Sequence, residues 1–243
     1  MLPSDLPDPA LPDPDLPDAV LLDMDGTLVD TEPYWMATEA EVIARHGGSW
    51  SAEQGLQLVG NDLRTSARVI LDETGIDVDP DDLVTELVGA VAARVRRDGV
   101  PWRPGARELL AALADAGVPR ALVTMSYRVL TAAVTETSPV AFDTVVAGDE
   151  VTHGKPHPEP YLIAARRLGT TAARCVAVED SAVGATSALA AGAATVAVPL
   201  MVPVPAQPGL SRLRTLEDLD LGLLARIAGG EVVDQLEPER SRV

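Results

Sequence analysis

The chain has 243 residues, 47% of them hydrophobic, and a formal net charge of −18. That length and apolar content suffice for one large or two modest domains with a true core, while the acidic balance argues against a nucleic-acid or anionic-membrane partner. Aromatic residues make up 3%, so Ala, Val and Leu must build the core, and the single cysteine, Cys175, excludes an internal disulfide. Cys175 lies in the apolar run CVAV and reads as a core thiol. No stretch approaches a membrane span and the N-terminus has no basic region followed by an apolar one, so a cytoplasmic protein is predicted.

Residues 1–18, MLPSDLPDPALPDPDLPD, are mostly Pro and Asp. This composition predicts an extended, disordered tail whose aspartates are solvating charges. The apolar run Val20 to Leu22 then reads as a buried strand ending in Asp23 and Asp25, followed by Gly26 and Thr27. Residues at i and i+2 leave a strand on the same side, so the two carboxylates crowd one site at the carboxyl edge of an open sheet. Such a pair repels itself unless a metal or a shared proton relieves it. The bland alternative is an Asp-Gly turn, which accounts for Asp25 but not for Asp23.

Asp30, Thr31 and Pro33 signal a helix start, and the spacing predicts helix to about His46, closed by Gly47 and Gly48. Ser51, Asn61 and Asp62 are candidate caps for two further helices. From Pro80, Val84, Leu87, Val88, Val91 and Val95 fall on one helical face. Residues 31–100 thus read as an all-helical insert, bounded by the proline-rich joint Pro101-Trp102-Arg103-Pro104-Gly105. Beyond it, helix and strand alternate: apolar strands at 121–123, 144–147, 175–178 and 194–198 are separated by helices stopping at Gly117, Gly169 and Gly192. This is the rhythm of a doubly wound parallel sheet, an α/β Rossmann-like core over residues 19–30 and 101–228. Residues 229–243 read as a polar tail.

Asp23 and Asp25 end the first strand, Thr124 another, and Glu179 and Asp180 a third, while Lys155 follows a fourth. Parallel strands open on one edge, so these groups can converge. Acidic residues from two strands make an oxygen-ligand site suited to Mg²⁺, and an Asp carboxylate can attack phosphorus. Lys155 is the single lysine beside 18 arginines. Either that position needs a compact ammonium, or the lysine is a chance survivor on a solvated loop. His46, His153 and His157 show no metal-ligand spacing and read as surface residues.

The segments DMDGTLVDTEPYW, VTMS, HGKPHPEPY and VAVEDS resemble, in order and approximate spacing, the motifs of the haloacid dehalogenase-like hydrolase superfamily, over about residues 19–225. The resemblance implies that Asp23 is a nucleophile, Asp25 a general acid/base, Thr124 a phosphate ligand and Lys155 the cation steadying both nucleophile and phosphate. It further implies Mg²⁺ held by Asp23, the backbone carbonyl of Asp25, and Asp180 with help from Glu179, and it makes the helical insert a cap closing over the site. Arg64 matches a place where relatives carry a substrate-meeting cap residue; a solvated helix arginine fits it nearly as well.

The implied activity is a Mg²⁺-dependent phosphohydrolase acting on a small phosphorylated metabolite, with DTEPYW closest to sugar-phosphate phosphatases. One alternative is a β-phosphoglucomutase-like phosphohexose mutase, whose members carry a histidine where this chain has Trp35 and a bulky aliphatic residue at Thr27. Another is a phospho-acceptor signalling module, which the first-strand Asp23 and the long insert oppose. A monomer or weak homodimer is expected.

Overall fold

The computed structural model describes residues 15–58 and 62–236. Six strands, β1 Ala19–Leu22, β2 Arg120–Val123, β3 Thr144–Val146, β4 Cys175–Glu179, β5 Ala194–Ala197 and β6 Leu210–Arg212, form one sheet in the order β3-β2-β1-β4-β5-β6. Every pairing is parallel. The winding reverses between β1 and β4, which is where a doubly wound sheet opens a ligand crevice. Register sets Leu22 beside both Leu122 and Val178, so the residues that follow these three emerge at one edge.

Alternation along each strand decides which layer it joins. Val20, Leu22, Val176 and Val178 face one apolar cluster; Ala19, Leu21, Cys175 and Ala177 face the other. The first face is covered by α5 Ala106–Asp115, α6 Arg128–Thr135 and α9 Leu221–Ala228, which supply Leu110, Leu130 and Leu224. On the second, α7 Glu159–Arg167 and α8 Ala182–Ala191 bring alanines and Tyr161, and the small side chains let helix approach sheet closely.

The insert consists of α1 Glu32–Arg45, α2 Ala52–Leu56, α3 Leu63–Thr74 and α4 Pro80–Asp98. Ser51 and Gln54 form a capping box on α2, Asp62 caps α3 and Asp79 caps α4, so these three helices begin where a side chain satisfies orphan N–H groups. Asn61, the other expected cap, lies outside the described residues. The two chain segments joining insert to sheet are themselves paired: Asp30 N–H donates to Pro101 O at 2.9 Å and Arg103 N–H to Leu28 O at 2.8 Å.

The tails expected at 1–18 and 229–243 fall partly outside the described residues, and their inner ends differ from solvated chain. Asp18 accepts from Arg174 Nε at 2.5 Å and Thr170 Oγ1 at 2.6 Å, and Leu16 packs on the core. Asp234 pairs with Arg212 at 2.6 Å while Arg212 N–H donates to Val233 O. In both places an arginine from a sheet edge or its adjoining loop recruits an aspartate that composition alone assigns to solvent.

Candidate active site

Asp23 follows β1 directly and is 6% exposed. Its Oδ1 accepts from Lys155 Nζ at 2.7 Å and its Oδ2 from Thr27 Oγ1 at 2.7 Å. Lys155 Nζ donates also to Glu179 Oε1 at 2.6 Å and Val123 O at 2.9 Å, so all three ammonium protons are taken. Burial works against the charged lysine, but Asp23 and Glu179 more than offset it and hold its pKa above the ordinary range. Glu179, wholly buried at the end of β4, receives the Tyr161 hydroxyl at 2.6 Å on Oε1 and Asp180 N–H and Ser181 Oγ on Oε2. Gly184, one turn into α8, leaves it room: a Cβ there would lie 2.0 Å from the carboxyl carbon.

Asp25 points to a different set of groups. Thr31 Oγ1 donates to its Oδ1 at 2.5 Å, and Ser126 Oγ and Thr124 Oγ1 reach Oδ2 at 2.7 and 3.3 Å. The sheet edge thus holds one carboxylate against an ammonium and the other among hydroxyls. The Thr27 hydroxyl bonds Asp23 and not Asp25: Leu28 N–H closes onto Met24 O, and the turn carries the Thr27 hydroxyl back to the strand end.

Asp23, Glu179 and Asp180 bring one carboxylate oxygen each to within 4.8 Å of one another. Burial first, then the neighbouring carboxylates, push the Asp23 and Asp180 carboxyls up to about 7 and about 8. A cluster that resists its own ionisation despite Lys155 and Arg103 is one that a divalent cation would relieve, and an all-oxygen donor set matches Mg²⁺. Both oxygens of Glu179 and both of Asp23 already accept hydrogen bonds, so an ion bound here would share the Asp23 carboxylate with Lys155 or Thr27 and take Asp180 beside it. Gly26, at φ 80°, makes the approach possible, because a Cβ would meet Asp180 Oδ2 at 2.0 Å.

Arg103, from the proline-rich joint, is buried against this loop. Its guanidinium donates to Gly26 O, to Val198 O at 2.8 Å and to Pro199 O at 3.4 Å. Arg64, by contrast, is on the exposed start of α3, paired with Asp81 at 3.0 Å, and makes no hydrogen bond to the acidic centre among the described residues. Ser126, Thr31, Tyr161 and Arg103 are additions to the sequence-derived set. Ser126 lies in VTMS two residues after Thr124, which is a usable signal; a buried arginine among prolines and a tyrosine on an apolar helix face give none.

Residues 17–192 match the haloacid dehalogenase-like hydrolase family. The chain is 32% identical over 183 residues to the bifunctional riboflavin kinase/FMN phosphatase of Arabidopsis thaliana, covering 74% of this chain and 48% of that protein, so it spans about half of that relative's length. It is 32% identical over 192 residues to the fructose-1-phosphate phosphatase YqaB of Escherichia coli, covering 75% of this chain and 96% of the relative. CbbY from Rhodobacter sphaeroides, solved with phosphate, superposes with a TM-score of 0.79 at 26% identity over 86% of this chain and 99% of that one. With the doubly wound sheet, the all-helical insert and the acidic edge in place, the chain belongs to the haloacid dehalogenase-like hydrolase family.

Proposed function

We propose that the substrate of this phosphatase is a small sugar phosphate and that phosphate passes through an acyl phosphate on Asp23. The observation that carries the reading is the division of labour at the end of β1: Asp23 faces Lys155, and Asp25 sits among three hydroxyls two residues on. An Asp23 oxygen attacks phosphorus while the P–O bond to the sugar breaks, and protonated Asp25 gives its proton to the departing sugar oxygen. Asp25, now a carboxylate, takes a proton from water as that water attacks phosphorus and breaks the bond to Asp23. Lys155 and the Thr124 and Ser126 hydroxyls offset charge on the phosphoryl oxygens. Mg²⁺ held by Asp23 and Asp180 would supply further positive charge there.

The similarity to a fructose-1-phosphate phosphatase supports a sugar phosphate; the FMN phosphatase shares only half its length with this chain and supports a flavin nucleotide less well. Trp35 lacks the acid/base nitrogen of the histidine expected of a hexose mutase, which favours transfer to water. Inorganic phosphate release should be measured across hexose, pentose and hexitol phosphates and FMN. The expected result is hydrolysis of a sugar phosphate, abolished by chelator and by Asp23→Asn. Faster turnover of FMN, or isomerised hexose phosphate appearing ahead of free phosphate, would overturn the substrate or the reaction.

A further inference from the structure

Apart from the acidic edge, a second group of metal-ligand side chains comes together on the segment that leads from β3 into α7. His153, His157 and Glu159 each bring one potential ligand atom to within 4.8 Å of the other two. His153 Nδ1 lies 2.8 Å from Glu159 Oε2 and His157 Nδ1 lies 4.0 Å from the same oxygen. The imidazole centroids are 4.7 Å apart with the rings tilted by 34°.

The group is held from behind. Thr152 N–H donates to Glu159 Oε1 at 2.7 Å and His153 N–H to Oε2 at 3.1 Å, and these bonds keep the carboxyl below its ordinary pKa. Glu159 N–H donates to His157 Nδ1 at 3.2 Å, so the ring proton sits on Nε2 and a metal at Nδ1 would take over the lone pair from this hydrogen bond. In a tetrahedral site with bonds of about 2.0–2.2 Å, neighbouring ligands stand roughly 3.4 Å apart. The observed 2.8 and 4.0 Å straddle that value, so small rotations of exposed side chains close the site without backbone movement. Water can complete the coordination, since the two histidine side chains are 62% and 51% exposed.

We infer that His153, His157 and Glu159 form a binding site for one borderline divalent transition-metal cation, separate from the oxygen-lined centre at Asp23. Two imidazoles and a carboxylate suit Zn²⁺ and its neighbours and are poor ligands for Mg²⁺. His153 and His157 are exposed, as expected of surface residues, and the turn closed by His157 N–H on Gly154 O is what brings Glu159 beside them.

The test uses the full chain in saturating Mg²⁺, titrated with Zn²⁺ against a chromophoric chelator and, in parallel, with Co²⁺ followed by its visible absorption. One equivalent should bind under Mg²⁺. Its affinity should fall at least tenfold in His153→Ala/His157→Ala and in Glu159→Gln, whose melting curves without Zn²⁺ should match the parent, and it should persist in Asp180→Asn. No uptake in the presence of Mg²⁺, unchanged uptake in the double histidine variant, or loss of uptake in Asp180→Asn would each overturn the assignment.

Discussion

Asp25 collects three hydroxyls from two separate segments: Thr31 just before α1, and Thr124 and Ser126 after β2. Hydroxyls can turn to donate or accept, so this cradle serves the carboxyl in either protonation state. Ser126→Ala should therefore lower kcat about tenfold with little change in KM, the loss expected for one charge-assisted hydrogen bond at an acid/base group; an unaltered kcat would remove Ser126 from the mechanism. Glu39 gives a second test. Burial, reinforced by Glu32 and only partly offset by the Trp50 indole, raises its carboxyl from the ordinary 4.5 to about 7. A raised carboxyl favours the fold fully below the ordinary value and loses that contribution as pH climbs through about 7. Glu39→Gln should be more stable than the parent at pH 8, by up to about 3 kcal/mol, and no more stable at pH 4, as urea unfolding at the two pH values will read. Asp23, Asp25, Lys155 and Asp180 were legible in the sequence because strand-end acids and a solitary lysine break the local pattern. Tyr161 and Glu39 were not, since each sits on a helix among residues that pack, and their partners are 18 and 11 positions away.

At the scale of elements, the strands read from apolar runs were legible because a parallel sheet buries both faces. The three-residue β6 was not: Ser211 and Arg212 interrupt any apolar run, and it joins the sheet only by pairing with β5. The joint at 101–105 reads as a breaker and acts as a clamp. Through Arg103 it binds the Gly26 turn to the end of β5, and the paired segments Leu28–Asp30 and Pro101–Arg103 form a short ribbon under the insert. Arg103→Met removes the guanidinium and strands buried carbonyls, which should cost about 2–4 kcal/mol of stability. It should also weaken Mg²⁺ binding, because the Gly26 turn, which packs directly against the Asp180 carboxylate, loses its anchor. Arg103→Lys, with a point charge that cannot span three carbonyls, should recover only part of either effect. Denaturant unfolding together with Mg²⁺ calorimetry separates the two; unchanged calorimetry would confine Arg103 to stability.

Across the whole molecule, the acidic edge and the N-terminal anchor lie at opposite ends of the parallel strands. Removing residues 1–18 deletes the Asp18 bonds to Arg174 and Thr170 and the packing of Leu16. The pair is partly exposed, so the expected loss is about 1 kcal/mol, seen as a melting temperature lower by roughly 2–4 °C, with turnover unchanged. A drop in turnover at constant stability would tie this end to the reaction. Lys155 carries a different consequence. It is the chain's single lysine, its side chain is 6% exposed, and its ammonium is engaged on every side. Reagents that acylate or carbamylate amines need the neutral, accessible base, so on the folded protein they are held off this side chain. An adduct on this one side chain would displace its contacts with Asp23, Val123 and Glu179 together. The rate at which that adduct appears therefore measures how often the buried edge opens to solvent.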